Sequence, residues 1–267
     1  MKKYRIIDSH CHVFPDKIAL KASKAIGDFY GMAMRHEGDI KSLLKSGKKI
    51  DVEKYIIHST ATKVEQVKSI NDFISESIEK YNCLIGYGTL HQGMDKASIK
   101  NEVDRLIMLG LRGIKLHPDF QGFNIDDESA MKIYEVCEGI IPILIHVGDN
   151  RSDASSPTRL SNVLNKYPNL IVIAAHLGGY RRWDEALKCI IGKNNLYIDT
   201  CSSLAFIDKK KAVEIIRAHG YERVLFAVDY PMWDHEEEFA RFNALELSEQ
   251  EKEAILYDNT AKLLNIK

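Results

Sequence analysis

The 267 residues are 45% hydrophobic and 28% charged, the balance of a globular enzyme and a length that one α/β barrel fills. A formal net charge of -1, with lysines and arginines scattered along the chain, excludes nucleic acid and anionic membrane surfaces as partners. The five cysteines form no CxxC and no regular spacing, and neither a signal-peptide core nor a membrane-length apolar run occurs, which together predict reduced thiols in a cytoplasmic protein.

The predicted elements alternate from the first residues onward. A strand at Tyr4–Asp8 leads into His10 and His12. The stretch 16–50 is longer than an ordinary first loop and helix, and it predicts a helical insertion beside that strand's C-terminal end. Further strands are predicted at Lys54–Ser59, Leu84–Leu90, Arg112–His117, Pro142–Gly148, Leu170–His176, Leu196–Cys201 and Val224–Tyr230. All are short, rich in Ile, Val, Leu and Tyr, and apolar on both faces, as in a parallel sheet covered on both sides.

Helical periods separate these runs. Val64, Val67, Ile70, Ile74 and Ile78 follow one such spacing; Ile99, Val103, Leu106 and Leu109 follow another, with Gly110 as the C-cap. The pattern in "DKKKAVEIIRAHG" (Asp208–Gly220) ends the same way at Gly220, and Asp234 is a predicted N-cap for the acidic run Glu236–Glu238. About eight strand–helix repeats predict a single (β/α)8 TIM barrel over residues 1–267. A doubly wound open sheet is the alternative; it usually has fewer strands, and the chain has no GxGxxG at its first turn.

Barrel active sites lie at the C-terminal ends of the strands. Those ends carry His10 and His12, then His58, His91, Lys115, His117, His146, His176, Asp199 and Asp229. Strand alternation puts His10 and His12 on one face together with Asp8. Two imidazoles and a carboxylate can converge on Zn²⁺, with Fe²⁺, Mn²⁺ and Ni²⁺ also compatible. An HxH pair alone decides nothing. His146 and Asp229 strengthen it, because each ends an apolar strand, where an unpaired polar group is costly and a cation would stabilise it. Taken singly, His58, His91 and His117 read as satisfied structure, with His117 also a candidate for the substrate side of the site. Arg151 could clamp a substrate carboxylate or form a surface salt bridge, and Trp233 could wall the pocket.

The motifs "DSHCHVFP", "GIKLHP", "LIHVG", "AAHLGG" and "AVDYP", in this order and spacing, resemble the amidohydrolase superfamily. The nearest branch is the amidohydrolase 2 family, which includes the aminocarboxymuconate-semialdehyde decarboxylase-like proteins. The resemblance covers nearly the whole chain. It implies His10, His12, His146 and Asp229 as metal ligands, with Asp229 also the proton acceptor. It implies His176 as a catalytic acid/base or a second-metal ligand. Lys115 is implied as a carboxylated bridge between two metals or as a holder of a substrate anion, and a structural pair with Asp8 or Asp149 is its alternative. The cofactor implied is a divalent metal, zinc first, and one ion rather than two.

These residues put first a metal-dependent hydrolase that cleaves an amide, lactone or other ester. In that reading the metal acidifies a bound water, Asp229 takes its proton, and the metal or His176 stabilises the oxyanion. A metal-dependent non-oxidative decarboxylase of a small aromatic or unsaturated acid is the alternative, and the second histidine of the HxH pair places it behind hydrolysis. A non-catalytic metal-binding barrel is a third reading. The expected partner is a small molecule, and a homo-oligomer is compatible with the sequence.

Overall fold

A computed structural model describes residues 3–266. Eight parallel strands follow one another in chain order: β1 Ile7–His12, β2 Lys54–His58, β3 Leu84–Thr89, β4 Gly113–Leu116, β5 Ile143–Ile145, β6 Val172–Ala174, β7 Leu196–Asp199 and β8 Val224–Leu225. The two ends of the sheet meet: Ser9 N donates to Phe226 O at 3.0 Å, Asp229 N to His10 O at 3.0 Å, and His12 N to Tyr230 O at 2.7 Å. The fold is therefore the (β/α)8 barrel, not the open sheet, whose edge strands would stay unpaired.

The predicted strands are all present, with one shift that matters. β1 starts later than Tyr4–Asp8 and runs through both histidines, because Cys11 and His12 pair with Ile57 and His58 of β2. The register slips between Asp8 and Cys11. That irregularity removes Asp8 from the histidine face. Its carboxylate instead accepts from Cys11 Sγ at 3.0 Å and from Val228 N at 3.0 Å.

Alternation along the strands divides the barrel interior into two layers. Ile56, Tyr87, Leu144, Ile173 and Leu225 pack together with Leu264 near the C-terminus. Two residues further along, the same strands present His58, Thr89, His146, Ala175 and Ala227. An apolar floor thus lies beneath a layer that is polar on β2, β3 and β5, while Ala175 stays with the floor's apolar cluster.

The insertion forms two helices, α1 Ala19–Tyr30 and α2 Ile40–Gly47. Asp39 caps α2 by accepting from Ser42 N at 2.9 Å. α1 buries Ala19, Ser23 and Gly27. A Cβ at Gly27 would lie 2.6 Å from Met32 O, so glycine lets the chain fold back directly after the helix. α1 covers the upper end of the barrel and faces α3, Gln66–Lys80, across a cavity. Among the described residues, no helix is long and apolar enough to cross a membrane.

Candidate metal centre and active site

β1 and the loop after β8 bring three donor atoms together. His10 Nε2 and His12 Nε2 are 3.2 Å apart, and each lies 3.5 Å from Asp229 Oδ1. An ion held about 2.1 Å from each donor in tetrahedral geometry sets donors about 3.4 Å apart, so the triangle fits one first-row divalent metal. His10 Nδ1 donates to Asp199 Oδ2 at 2.8 Å, which leaves Nε2 with a lone pair aimed into the triangle. Asp229 and His176 have left-handed backbone, φ 66° and 64°, without being glycine. Such conformations cost free energy and persist where the surroundings enforce them, commonly at functional sites.

Burial dominates the electrostatics. It pushes His10 and His58 well below the ordinary histidine value, and the nearby Lys115 charge adds to the effect. Lys115 Nζ lies 2.9 Å from His10 Nε2, and burial lowers its ammonium to about 8 against the pull of Asp229, Cys201 and Asp199. At Asp229 burial would raise the carboxyl, but His10, His12 and His176 together hold it well below the usual range. A divalent ion held at the triangle would take over the role of those imidazole protons, with neutral imidazoles and an ionised carboxylate as its donors.

The arrangement differs from the expected ligand set at His146. Its Nε2 donates to Gly148 O at 2.7 Å, and its Nδ1 faces His176 Nε2 at 2.8 Å, so the ring turns away from the triangle. Gly148 makes this geometry available: with φ +84°, a Cβ there would lie 2.3 Å from Tyr180 N. Cys201 Sγ is 3.2 Å from His176 Nδ1. The Cys201 thiol donates to Asp199 Oδ1 at 3.0 Å, and His176 Nδ1 also lies 3.2 Å from Cys201 O. His117 stacks on His146 with ring centres 4.0 Å apart, and its Nε2 lies 3.0 Å from the Tyr30 hydroxyl.

The other expected residues divide between the site and its surroundings. Lys115 pairs with neither Asp8 nor Asp149; it points at His10. Arg151 grips Asp149, with contacts at 2.6 and 2.9 Å, and donates to Phe29 O, so its fork is occupied away from the metal centre. Trp233 acts at one remove: its Nε1 donates to Ser202 Oγ at 2.9 Å, and Ser202 donates to Asp229 Oδ2. His91 Nδ1 accepts from Gly93 N at 3.0 Å and shapes a turn.

Three contributors had no assigned role in the sequence. Asp199 orients His10, and its place at a strand end was the available signal. His58 was expected to be satisfied structure, yet neither ring nitrogen has a partner among the described residues, and its ring packs 4.5 Å from His12 and 4.8 Å from His10. Tyr30 enters from α1, and no local pattern distinguishes it.

A family model described as amidohydrolase matches residues 7–266. Among curated proteins, a 2-amino-3-carboxymuconate-6-semialdehyde decarboxylase of Dictyostelium discoideum is 30% identical over 132 residues, 41% of this chain and 37% of that protein. The match thus spans little more than a third of the relative's length. Among solved structures, a 5-carboxyvanillate decarboxylase of Sphingomonas paucimobilis superposes with a TM-score of 0.76 at 16% identity, over 98% of this chain and 99% of that one. A dihydroxybenzoic acid decarboxylase of Polaromonas, solved with manganese and 2-nitroresorcinol, gives 0.78 at 17% identity, over 98% and 97%. At these identities the superpositions speak for the fold. The activities named in these three proteins are decarboxylations, and this overturns hydrolysis as the leading expectation.

Proposed function

Since this chain belongs to the amidohydrolase family, we propose that it is a metal-dependent, non-oxidative decarboxylase of an aromatic or unsaturated carboxylic acid. The observation that carries the reading is the donor triangle of His10, His12 and Asp229 with Lys115 beside it. The named decarboxylase relative supports the choice of reaction. Zinc was the expected ion; the related Polaromonas enzyme holds manganese, and a donor set of imidazoles and carboxylate accepts either.

His10, His12 and Asp229 would hold the ion, which when bound supplies Lewis-acid polarisation of the substrate's carboxylate or a neighbouring oxygen. Asp199 keeps His10 Nδ1 protonated and its Nε2 free for that role. Lys115 stands where a substrate anion would enter, and its charge offsets the cost of burying that anion. His176, its Nε2 2.8 Å from His146 Nδ1, is placed to exchange a proton with a substrate oxygen in place of His146. Asp229, held ionised, accepts a proton from a substrate hydroxyl or water and returns it to carbon. The carbon bearing the carboxylate gains that proton, the C–C bond breaks, CO2 leaves, and the bond's electron pair stays on the carbon.

The test is CO2 release from a panel of hydroxybenzoates and unsaturated acids, by metal-stripped protein reloaded with Mn²⁺ or Zn²⁺. The expected outcome is release that requires metal and is lost in Asp229→Asn. A folded, metal-loaded protein that releases CO2 from none of them overturns the reading.

A further inference from the structure

The chamber bordered by His10, Lys115, His146 and Asp229 holds only about 20 Å³ of free space, room for roughly one water-sized group. Its walls at His12, Ile26 and Phe120 are shared with a second cavity of about 690 Å³ under α1. That volume lies within the roughly 300–1,000 Å³ of pockets that enclose drug-sized ligands. The reacting end of a substrate therefore has a place beside the metal centre, and the rest of it must lie in the larger cavity.

The chemistry of the larger cavity is one-sided. Ile18, just before α1, and Ala22, Ile26 and Phe29 of α1 face Ile70 and Phe73 of α3. Among the described residues no lysine or arginine lines it. The single acid in the lining, Asp119, accepts from Ser155 Oγ at 2.6 Å. Arg151, which could have recognised a second carboxylate, is outside the lining and bound to Asp149. A second anion placed here would be desolvated without a partner. Besides His12, the polar residues that remain in the lining, Ser59, Thr60, Thr62, Gln66 and Ser69, are uncharged.

Resting on the decarboxylase reading, we infer that the substrate is a monocarboxylic acid with an extended, uncharged, hydrophobic body. Its carboxylate points to the metal centre. The body, larger than one ring, lies between α1 and α3.

The experiment measures binding to the Mn²⁺-loaded protein by titration calorimetry, with benzoate, biphenylcarboxylate and terephthalate as probes. Biphenylcarboxylate is expected to bind about tenfold or more tighter than benzoate, the effect of burying a second ring. Terephthalate, with a second carboxylate at the far end, is expected to bind no tighter than benzoate. Ala22→Trp fills the cavity and is expected to bring the ratio of biphenylcarboxylate to benzoate affinity close to one without changing metal content. Ala25→Trp, on the same wall, serves if Ala22→Trp does not fold. Equal affinities for the two monoacids, a preference for terephthalate, or an unchanged ratio in the folded tryptophan variant overturns the inference. CO2 release from compact acids with no preference for the long one overturns this inference and keeps the decarboxylase reading. Tight binding of the long acid with no CO2 released from any acid overturns the decarboxylase reading and leaves the pocket assignment standing.

Discussion

The Ser202 hydroxyl donates to Oδ2 of Asp229, which leaves Oδ1 turned towards His10 and His12. Both residues are buried, and Trp233 fixes the serine from behind. Hydrogen bonds of this kind set the orientation of a ligating carboxylate, and their loss typically weakens metal affinity by about 10–100-fold. Ser202→Ala should weaken metal binding within that range while the fold is kept. Trp233→Phe, which removes only the donor to Ser202, should have a smaller effect. Competition titration against a chromogenic chelator, read for both variants, checks the order.

Metal removal should be visible in stability. The centre packs His10, His12 and His58 with Lys115 in a buried space, and His58 has no partner for either nitrogen among the described residues. An ion that binds only the native state stabilises it by about 4 kcal/mol when present at a thousand times its Kd. Adding Mn²⁺ or Zn²⁺ to stripped protein should raise Tm by several degrees, and His10→Ala or Asp229→Asn should abolish the rise. Differential scanning calorimetry with and without metal measures it.

The barrel was readable because its strands are apolar on both faces and end in polar residues, a pattern that survives in a single sequence. His10, His12 and Asp229 were readable for the same reason, since each stands where a strand meets the open end. The role of Asp8 was misread because the register slip in β1 leaves no mark in the residue types. The orientation of His146 depends on a carbonyl two residues away and on a glycine pressed against the next loop, both tertiary facts. The residue type of Arg151 suits both a carboxylate clamp and a salt bridge, and only its packing on Asp149 decides between them. Tyr30 could not be found at all, because a helix that packs over the barrel brings it there from outside the strand–loop pattern.

Tyr30 gives a prediction that separates substrate handling from metal binding. Its hydroxyl lies 3.0 Å from His117 Nε2, it borders the same small chamber as Lys115 and Asp229, and burial raises it well above the ordinary phenol value. His117 Nδ1 accepts from the Phe120 backbone at 3.4 Å, so its Nε2 carries the proton and donates to the tyrosine oxygen. The phenol proton is then free to meet a substrate oxygen. Tyr30→Phe should lower kcat/KM about tenfold or more, as expected for losing one hydrogen bond inside a desolvated site. Metal affinity should stay unchanged, since the phenol is not one of the triangle's donors. Steady-state kinetics beside a metal titration on the same preparation checks both halves.

His219, far from the metal centre, sets an acid limit on stability. The ring is buried; Nε2 donates to Leu196 O at 3.1 Å, and Nδ1 accepts from Gly192 N at 3.1 Å. Both nitrogens are thus satisfied only when the ring is neutral. Burial, reinforced by the Arg223 charge, lowers the ring from its usual 6.5 to about 4. Below pH 6.5 the unfolded chain takes up a proton that the native ring refuses, so the stabilisation is complete above that value. It is lost as the pH falls from 6.5 to 4, and further acid removes no more through this group. The full span corresponds to about 3 kcal/mol. His219→Gln has no group to titrate in this window. It should be less stable than wild type at pH 7, yet lose about 2 kcal/mol less between pH 7 and pH 4.5. Urea unfolding at the two pH values, on metal-free protein of both kinds so that metal loss does not enter, gives the difference directly. Equal pH dependence in the two proteins would show that His219 is not the group responsible.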